Sequence, residues 1–445
     1  MSQAVATTIS RSFLFDTMPD LFRRASQRGF WPMADQAVVS IGNFLTAVLV
    51  ARGLDKPEYG TFGVVLEFMF FMNNLQSGLI TFPLTVRGAV ESNAGLKRLV
   101  AASTLLTLLL GLPVIVLTLI VGGAIGKLAL GASAVIALVV WQLQETTRRG
   151  LWAHFRHKES IAGDAISYIG QAIGIWILAR TGHLSLVTIF GVMTLTSLLA
   201  VVVQAMQIGI HAIRMSDLPQ IIREFWKTGR WVALTNASVI AGSICGSWAL
   251  WLAHGRTQVA DFFAIANLMK LANPVLTSIG GLITPAAAKR FAQAGIYAAR
   301  KTAAKYAMLG AALLGPYLLF ILLFPGFVMR LMYGADKFAG QENSLRGCAI
   351  GYILIFSVGV MVAFLNGVHK ARYSFYGQLV ASILQFVILL PMNLAFGVKG
   401  YVWGGVIQAF VQTLLMVWLI QKAMKDPPTI DPPTPPGGFE PVMSK

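Results

Sequence analysis

A short polar link, VARGLDKPEYGTF (Val50 to Phe62), joins two long apolar runs and decides how the rest of the chain is interpreted. The runs are Phe30 to Leu49 before the link and Thr61 to Leu79 after it. Each is close to the about 20 residues that a helix needs to cross a bilayer. The glycines and the proline of the link are typical of a tight turn at a water interface. The stretch therefore predicts two membrane-spanning helices joined by a turn.

The same unit recurs later in the chain. LAHGRTQVADFF (Leu252 to Phe263) also joins two long apolar runs, and matching residues in the two units are 202 positions apart. The pairs at this offset are Ala51 and Ala253, Gly53 and Gly255, Pro83 and Pro285, and Arg87 and Lys289. One shared offset for a turn glycine, a helix-end proline and a basic residue predicts two homologous halves.

Composition places the chain in a membrane. Of its 445 residues, 56% are hydrophobic and 12% are charged, whereas soluble domains carry about 25% charged residues. Only helices and closed barrels satisfy the backbone in hydrocarbon, and the apolar runs do not alternate, so they predict helices. The two cysteines, Cys245 and Cys348, lie in separate apolar runs and are expected to be small buried hydrophobes rather than a disulfide.

The expected fold is an all-α polytopic membrane protein with about 12 spans in two homologous six-helix halves around a central cavity. The halves are 31–208 and 231–424, separated by a basic cytoplasmic linker, 209–230. Residues 1–30 are either an amphipathic surface helix or a disordered leader. Residues 425–445 are a disordered proline-rich tail. The spans fall near 31–51, 61–83, 99–122, 128–146, 160–180, 185–208, 231–253, 260–285, 304–329, 347–367, 374–395 and 400–421, and the fourth is the weakest because Gln142, Gln144 and Glu145 crowd its end.

Basic residues set the orientation. The formal net charge is +17, and with both termini in the cytoplasm the inner loops hold about 25 basic residues against about nine outside. This asymmetry explains the charge without nucleic acid. Among the inner residues are Lys97, Arg98, Arg148, Arg149, Arg156, Lys158, Arg214, Arg223, Lys227, Arg230, Lys289, Arg290, Arg300 and Lys301. Six spans per half give both halves one orientation, which predicts a substrate path between them and alternating access.

Lys270 is the first candidate for binding an anionic substrate. It lies about ten residues into the span 260–285, hence about 15 Å deep, and Asn267 and Asn273 flank it. Ionisable side chains at that depth usually face a cavity or a partner. A structural ion pair and a snorkelling side chain are the alternatives.

Other charged residues offer both functional and ordinary interpretations. Glu67 could bind a coupling proton or cation, or make a local hydrogen bond. Asp35 could be a coupling carboxylate, or an acid near the interface that the helix dipole favours. Arg87 and Lys289 could capture phosphate at the cytoplasmic mouth, or only anchor the orientation. The basic stretch from Arg148 to Lys158 is expected to be a loop that could steer a lipid phosphate, but is mainly an orientation signal.

Catalytic motifs are missing from the sequence. There is no Walker loop, no metal-ligand spacing among the six histidines and no nucleophile elbow in a suitable context. The chain is therefore expected to be neither an enzyme nor a holder of a metal or cofactor.

The segment ARGLDKPEYGTF resembles the turn after the first span of polysaccharide and O-antigen flippases, which belong to the multidrug/oligosaccharidyl-lipid/polysaccharide exporter superfamily. The span count, the two halves and the basic inner loops agree with that family over nearly the whole chain. Asp55-Lys56 replaces the family's usual Gly-Pro. The residues that fit the motif are Arg52, Gly53, Leu54, Pro57, Glu58, Tyr59 and Gly60.

The resemblance implies a flippase that moves undecaprenyl-diphosphate-linked oligosaccharide from the cytoplasmic to the periplasmic leaflet of a bacterial inner membrane. It implies membrane lipids, a polysaccharide polymerase and glycosyltransferases as partners. Flippases of the family carry cavity arginines in the first span, whereas this chain has no arginine from Phe30 to Val50. The candidates for the substrate contact are instead Lys270, Arg87, Lys289, Asn267 and Asn273.

Two alternatives remain at this stage. An ion-coupled multidrug antiporter of the same superfamily would need acidic residues for cationic drugs, and the spans offer Glu67, Asp35 and Asp164. A membrane glycan polymerase or ligase would need a large periplasmic loop, whereas the longest outer link, Arg330 to Arg346, is short.

Overall fold

A computed structural model describes residues 31–32, 34–209, 217–334 and 337–426, with the backbone alone at 235 and 238–243. The predictions for the leader 1–30 and for the tail beyond 426 lie outside these residues. Within the described ranges the regular elements are helices, and eight of them are long and apolar enough to cross a membrane. The all-helical membrane fold predicted from the sequence is confirmed.

The chain forms two compact units, Met1–Ile244 and Cys245–Lys445. The described residues of the first unit form eight helices and the beginning of a ninth, α9, which continues into the second unit. The helices of the first unit are α1 Ala34–Gly53, α2 Lys56–Gln76, α3 Phe82–Gly88, α4 Asn93–Ala124, α5 Leu128–Ala153, α6 His157–Asp164, α7 Gly170–Arg180 and α8 Leu186–Ile208. Those of the second are the end of α9 (Leu218–Lys270), then α10 Asn273–Leu323, α11 Pro325–Tyr333, α12 Glu342–Gly367, α13 Ala371–Leu384 and α14 Leu390–Lys425.

In the described part of the chain, short π-helical turns continue one helix into the next at three places. Ser77–Thr81 joins α2 to α3, Ala165–Ile169 joins α6 to α7, and Gln385–Leu389 joins α13 to α14. π-turns inside helices are frequent at functional sites. The predicted linker at 209–230 stays a prediction. Within this range α9 begins at Leu218, and the first part of α9 belongs to the first unit.

The predicted turn between the first two helices is present, and its residues explain it. Asp55 is the N-cap of α2, because its side chain accepts a hydrogen bond of 2.7 Å from the Glu58 amide. Pro57 occupies the first turn of α2, where a missing amide hydrogen costs nothing. Tyr59, by contrast, is buried at 2% exposure and anchors the turn to the unit.

The second link also turns the chain, but the helices around it differ from the prediction. Gly255 has φ +80°, which interrupts α9 at the predicted turn. The prediction that Pro285 ends a helix is wrong, because α10 continues through it to a break at Ala294 and Gly295. Proline is tolerated inside membrane helices where neighbouring groups satisfy the freed carbonyl.

Both units repeat one local pattern. Phe155, between α5 and α6, has φ +57°, and His369, between α12 and α13, has φ +60°. Each of these turns leads into a helix that continues through a π-turn. Positive φ is uncommon for residues other than glycine, so its occurrence at matching places agrees with a duplicated architecture.

A close approach between α1 and the π-turn after α6 fixes one face of the first unit. Gly42 of α1 is buried, and a Cβ atom added there would lie 2.6 Å from the Tyr168 Cβ and 2.7 Å from its carbonyl carbon. Backbone atoms cannot move aside as a flexible side chain can. Only glycine therefore fits at this position.

We predict that Gly42→Ala destabilises the protein by about 1–3 kcal/mol, the usual cost of overpacking. Thermal unfolding of the full chain in detergent measures this change. The matched control is Gly191→Ala in α8, where an added Cβ would meet no atom within 4 Å. Equal unfolding temperatures for the two variants would contradict the close approach.

Candidate functional site

Four ionisable side chains are buried together in the membrane-spanning helices of the first unit. They are Asp35 of α1 (0% exposed), Glu145 and Arg148 of α5 (7% and 4%) and Asp164 of α6 (0%). We name them the Arg148 cluster. Ionisable groups in membrane spans are costly, and they usually mark a functional path or relay.

The Arg148 guanidinium contacts all three carboxylates. Its Nη2 lies 3.1 Å from Asp35 Oδ2, its Nη1 lies 3.0 Å from Glu145 Oε1, and its Nε lies 2.6 Å from Asp164 Oδ2. Cζ, the central carbon of this guanidinium, also lies 4.5 Å from the centre of the Trp152 ring. A planar guanidinium has donors in several directions, so one side chain ties three helices together.

The two aspartates have further polar partners. The Ser160 hydroxyl lies 3.2 Å from Asp35 Oδ1, and Gln204 of α8 donates a hydrogen bond of 3.1 Å to Asp164 Oδ1. Neutral donors from α6 and α8 therefore hold the two aspartates in addition to the Arg148 guanidinium.

The charges of the site do not balance. Arg149 adds a second cation, 3.6 Å from Glu145 Oε2, but its side chain is 34% exposed. Three carboxylates and two guanidinium groups give these five side chains a net charge of −1. His157 lies at the edge of the same group. Because an uncompensated charge is expensive in a low-dielectric interior, the site favours uptake of one proton.

Polar side chains extend the site through the core of the first unit. The Thr147 hydroxyl donates a hydrogen bond of 2.8 Å to Gln204, and the Ser167 hydroxyl donates one of 2.7 Å to Gln144. Tyr168 donates to Glu145 over 3.4 Å and accepts from Trp141 over 3.1 Å. A second buried group, in which the Gln76 amide donates to Thr107, to Thr146 and to the Gln142 carbonyl, continues the polar core into α2 and α4.

The site is organised around a guanidinium rather than a metal ion. No group of three or more histidine, cysteine, aspartate or glutamate side chains suited to a metal occurs in the described part of the chain. The carboxylate oxygens of the Arg148 cluster instead face nitrogen and hydroxyl donors. Proton transfer is the chemistry that this arrangement suits.

One sequence interpretation is corrected here, and the one for Asp35 stays open. Asp35 lies near the start of α1, where the helix dipole favours an acid, and it is also fully buried and paired with Arg148. The stretch beginning at Arg148 is not a basic loop, because α5 continues to Ala153 and Arg148 is buried inside it. Helical spacing brings Glu145 and Arg148 onto one face, which is why a polar segment can continue the fourth span.

The other coupling candidate, Glu67, is on α2. It is half-buried in the middle of that helix, which is continuous there. The residue 202 positions later, Met269, is fully buried in α9. That Glu67 binds a coupling ion stays a prediction.

The segment around Lys270 is not one continuous span. Helix α9 ends at Lys270, a turn of two residues follows, and α10 begins at Asn273. Pro274 lies in the first turn of α10, and the residue before a proline is biased away from the helical conformation. The Lys270 side chain is exposed in its unit. Its contact with a substrate stays a prediction.

The asparagines beside Lys270 differ in their surroundings. Asn267 is buried at 5% exposure, and its amide lies 3.4 Å from the Tyr333 hydroxyl. Asn273 is exposed, and its oxygen lies 3.5 Å from the Tyr352 hydroxyl. Asn273 is therefore more accessible to a ligand than Asn267.

Of the two residues predicted to capture phosphate, Arg87 and Lys289, one already has acidic partners. Arg87 is engaged by Glu91, at 3.4 Å, and by Glu224 of α9. Lys289 is exposed in the second unit. Two acidic partners reduce the ability of Arg87 to capture a phosphate, whereas Lys289 keeps its exposed position.

Comparisons with known proteins give a fold rather than a family. No protein-family model matches the sequence, and no curated protein matches it. Solved structures do match. An inward-facing multidrug resistance MATE family transporter of the MOP superfamily is 15% identical with a TM-score of 0.70, and the alignment covers 86% of this chain and 94% of that one.

Two further structures show the same likeness. The outward-facing conformation of a multidrug resistance MATE family transporter is 14% identical, with a TM-score of 0.58 and coverage of 88% of this chain and 93% of the other. A MOP superfamily transporter from Pyrococcus furiosus, described as having a binding pocket of reverse polarity, is 14% identical, with a TM-score of 0.58 and coverage of 89% and 95%. The chain has the MATE transporter fold.

We predict that Arg148→Ala destabilises the protein by about 3–5 kcal/mol, because it leaves buried carboxylates without their cation. Thermal unfolding of the full chain in detergent measures the loss. Arg149→Ala removes a charge from the next position, where the side chain is partly exposed, and is expected to cost less than about 1 kcal/mol. If both variants unfolded at the same temperature, the cluster would not depend on Arg148.

Proposed function

We propose that the protein is a secondary transporter that exchanges protons for a solute by alternating access, and that the Arg148 cluster is its proton site. The observation that carries this proposal is the pair of fully buried aspartates, Asp35 and Asp164, around one guanidinium in membrane-spanning helices. The MATE transporter fold supports it, because the solved structures with this fold include inward-facing and outward-facing transporters.

The proton would act on the position of α1. Asp35 connects α1 to α5 through Arg148 and to α6 through Ser160. A proton on Asp35 removes one charge from the pair with Arg148 and weakens the attachment of α1. A ligand shifts a conformational equilibrium only by its difference in affinity for the two states. Protonation would supply that difference if α1 occupies a different position in the other state.

The solute that we propose is of the multidrug type. The two MATE structures are described as multidrug resistance transporters, whereas none of the reported structures is described as an oligosaccharide flippase. This favours the antiporter alternative over the interpretation drawn from the turn motif. The acidic residues Asp35 and Asp164 also suit exchange with cations.

A lipid-linked oligosaccharide flippase is the second candidate. Its support is the Val50–Phe62 turn and the exposed Lys270 at the break between α9 and α10. Discontinuous membrane helices often expose backbone groups at substrate sites. In this case the substrate would be an undecaprenyl-diphosphate-linked sugar in a bacterial inner membrane, with glycosyltransferases and a polysaccharide polymerase as partners.

We predict that Asp164→Asn lowers proton-driven export of ethidium from proteoliposomes by about ten-fold, within the usual range of coupling energies. The amide keeps the shape of the side chain but cannot take up a proton. Asp55→Asn is the matched control, because Asp55 is an exposed N-cap and asparagine caps a helix as well. Export that kept its dependence on the proton gradient in Asp164→Asn, but lost it in Glu67→Gln, would assign coupling to Glu67 instead.

We predict that Lys270→Ala does not lower ethidium export, because lysine repels a cation and does not bind it. Flipping of a fluorescent undecaprenyl-diphosphate sugar in the same vesicles provides the second readout. The wild type could instead flip this lipid strongly and not export ethidium, with the flipping abolished in Lys270→Ala. That result would replace the antiporter with the flippase as the proposed function.

A further inference from the structure

An open cationic cleft lies at one end of the first unit, away from the Arg148 cluster's carboxylates. Its volume is about 330 Å³, which is within the about 300–1,000 Å³ of ligand pockets. The first turns of α4, the turn between α5 and α6, and the last turn of α8 form its walls. The lining residues are Asn93, Leu96, Lys97, Arg156, Gln207 and Ile208.

Arg156 is held in place by contacts that use only some of its N–H donors. Its Nε lies 2.7 Å from Glu159 Oε1, and its Nη2 donates to Glu159 Oε2 and to the Gln207 carbonyl. A guanidinium has five N–H donors, so these contacts leave both hydrogens of Nη1 for a ligand. The contacts also prevent the side chain from turning away. Arg156 is therefore a preorganised donor at the wall of the cleft.

Lys97 supplies the second positive charge. It is half-buried in the first turns of α4, and its ammonium lies beside Gly209 at the end of α8. No carboxylate among the described residues forms an ion pair with it, and no acidic residue is part of the cleft lining. The cleft thus combines the Lys97 ammonium with the Nη1 side of the Arg156 guanidinium, whose Nε and Nη2 are bound by Glu159.

Gln207 joins the last turn of α8 to the start of α6 beside Arg156. Its amide nitrogen donates to the Glu159 carbonyl over 3.0 Å, and its main-chain carbonyl accepts from Arg156 Nη2. These contacts fix the wall of the cleft on that side.

We propose that this cleft binds the phosphate group of an anionic ligand, either the headgroup of an anionic phospholipid or a soluble phosphate ester. Lys97 and Arg156 Nη1 contact the phosphate oxygens. The cleft lies where α4 and α6 begin and α8 ends, and basic groups near the ends of membrane helices attract anionic headgroups. This site does not depend on the transport proposal.

Occupation of the cleft would reach the Arg148 cluster through α6. Arg156 directly precedes α6, and Ser160 in the first turns of that helix contacts Asp35. A phosphate bound by Arg156 therefore lies next to the helix that contacts the cluster.

The test measures binding of short-chain phosphatidylglycerol to the full chain in a neutral detergent, by native mass spectrometry and by thermal unfolding. Short-chain phosphatidylcholine is the zwitterionic comparison, and glycerol 3-phosphate is the soluble one. Lys97→Gln should weaken phosphatidylglycerol binding by about ten-fold, which corresponds to about 1.4 kcal/mol. The matched control, Arg98→Gln, removes the same charge from the next residue, which is exposed and does not line the cleft. It should bind as the wild type does.

Lys97→Arg keeps the charge and should retain binding, which separates charge loss from damage to the fold. Binding of phosphatidylglycerol but not of glycerol 3-phosphate would support a lipid as the source. Binding of both would support the site with a soluble phosphate ester as a further source. Equal binding of phosphatidylcholine, or equal losses in Lys97→Gln and Arg98→Gln, would overturn the proposal.

Discussion

The need to match one buried guanidinium with carboxylates in a low-dielectric environment organises the first unit. Arg148 is 4% exposed, and its contacts come from α1, α5 and α6. Moving a charge out of water costs free energy, and only surrounding partners of opposite charge offset that cost. The positions of three helices therefore depend on one side chain, and a change in the charge of any partner carboxylate acts on all of them.

The excess of one carboxylate connects this constraint to the proposed transport. A balanced set of charges would be a structural tie, whereas a set with one surplus acid has a place for a proton. Gln204 and Thr147 extend the hydrogen bonds from Asp164. The turn between α5 and α6 carries Arg156 and the cationic cleft. The same short helix, α6, is thus shared by the proposed proton site and by the proposed phosphate site.

Much of the fold could be predicted from sequence, because apolar runs determine where the helices lie and turn residues determine where they end. The Val50–Phe62 turn appears where glycine and proline place it, and Gly255 turns the chain at the matching link. The Arg148 cluster was missed because its charges follow an apolar run and resemble an orientation signal. The spacing of Glu145 and Arg148 on one helix face was the available clue. Their partners, Asp35 and Asp164, are distant in sequence, and only packing brings them together.

Infrared difference spectroscopy of the full chain in lipid nanodiscs tests the central claim most directly, because a protonated carboxyl group has a band that a carboxylate lacks. The wild type is predicted to show a buried carboxyl band on acidification that is lost or shifted in Asp35→Asn and Asp164→Asn. A wild-type spectrum without such a band, or one that neither substitution changes, would contradict a proton held by the Arg148 cluster.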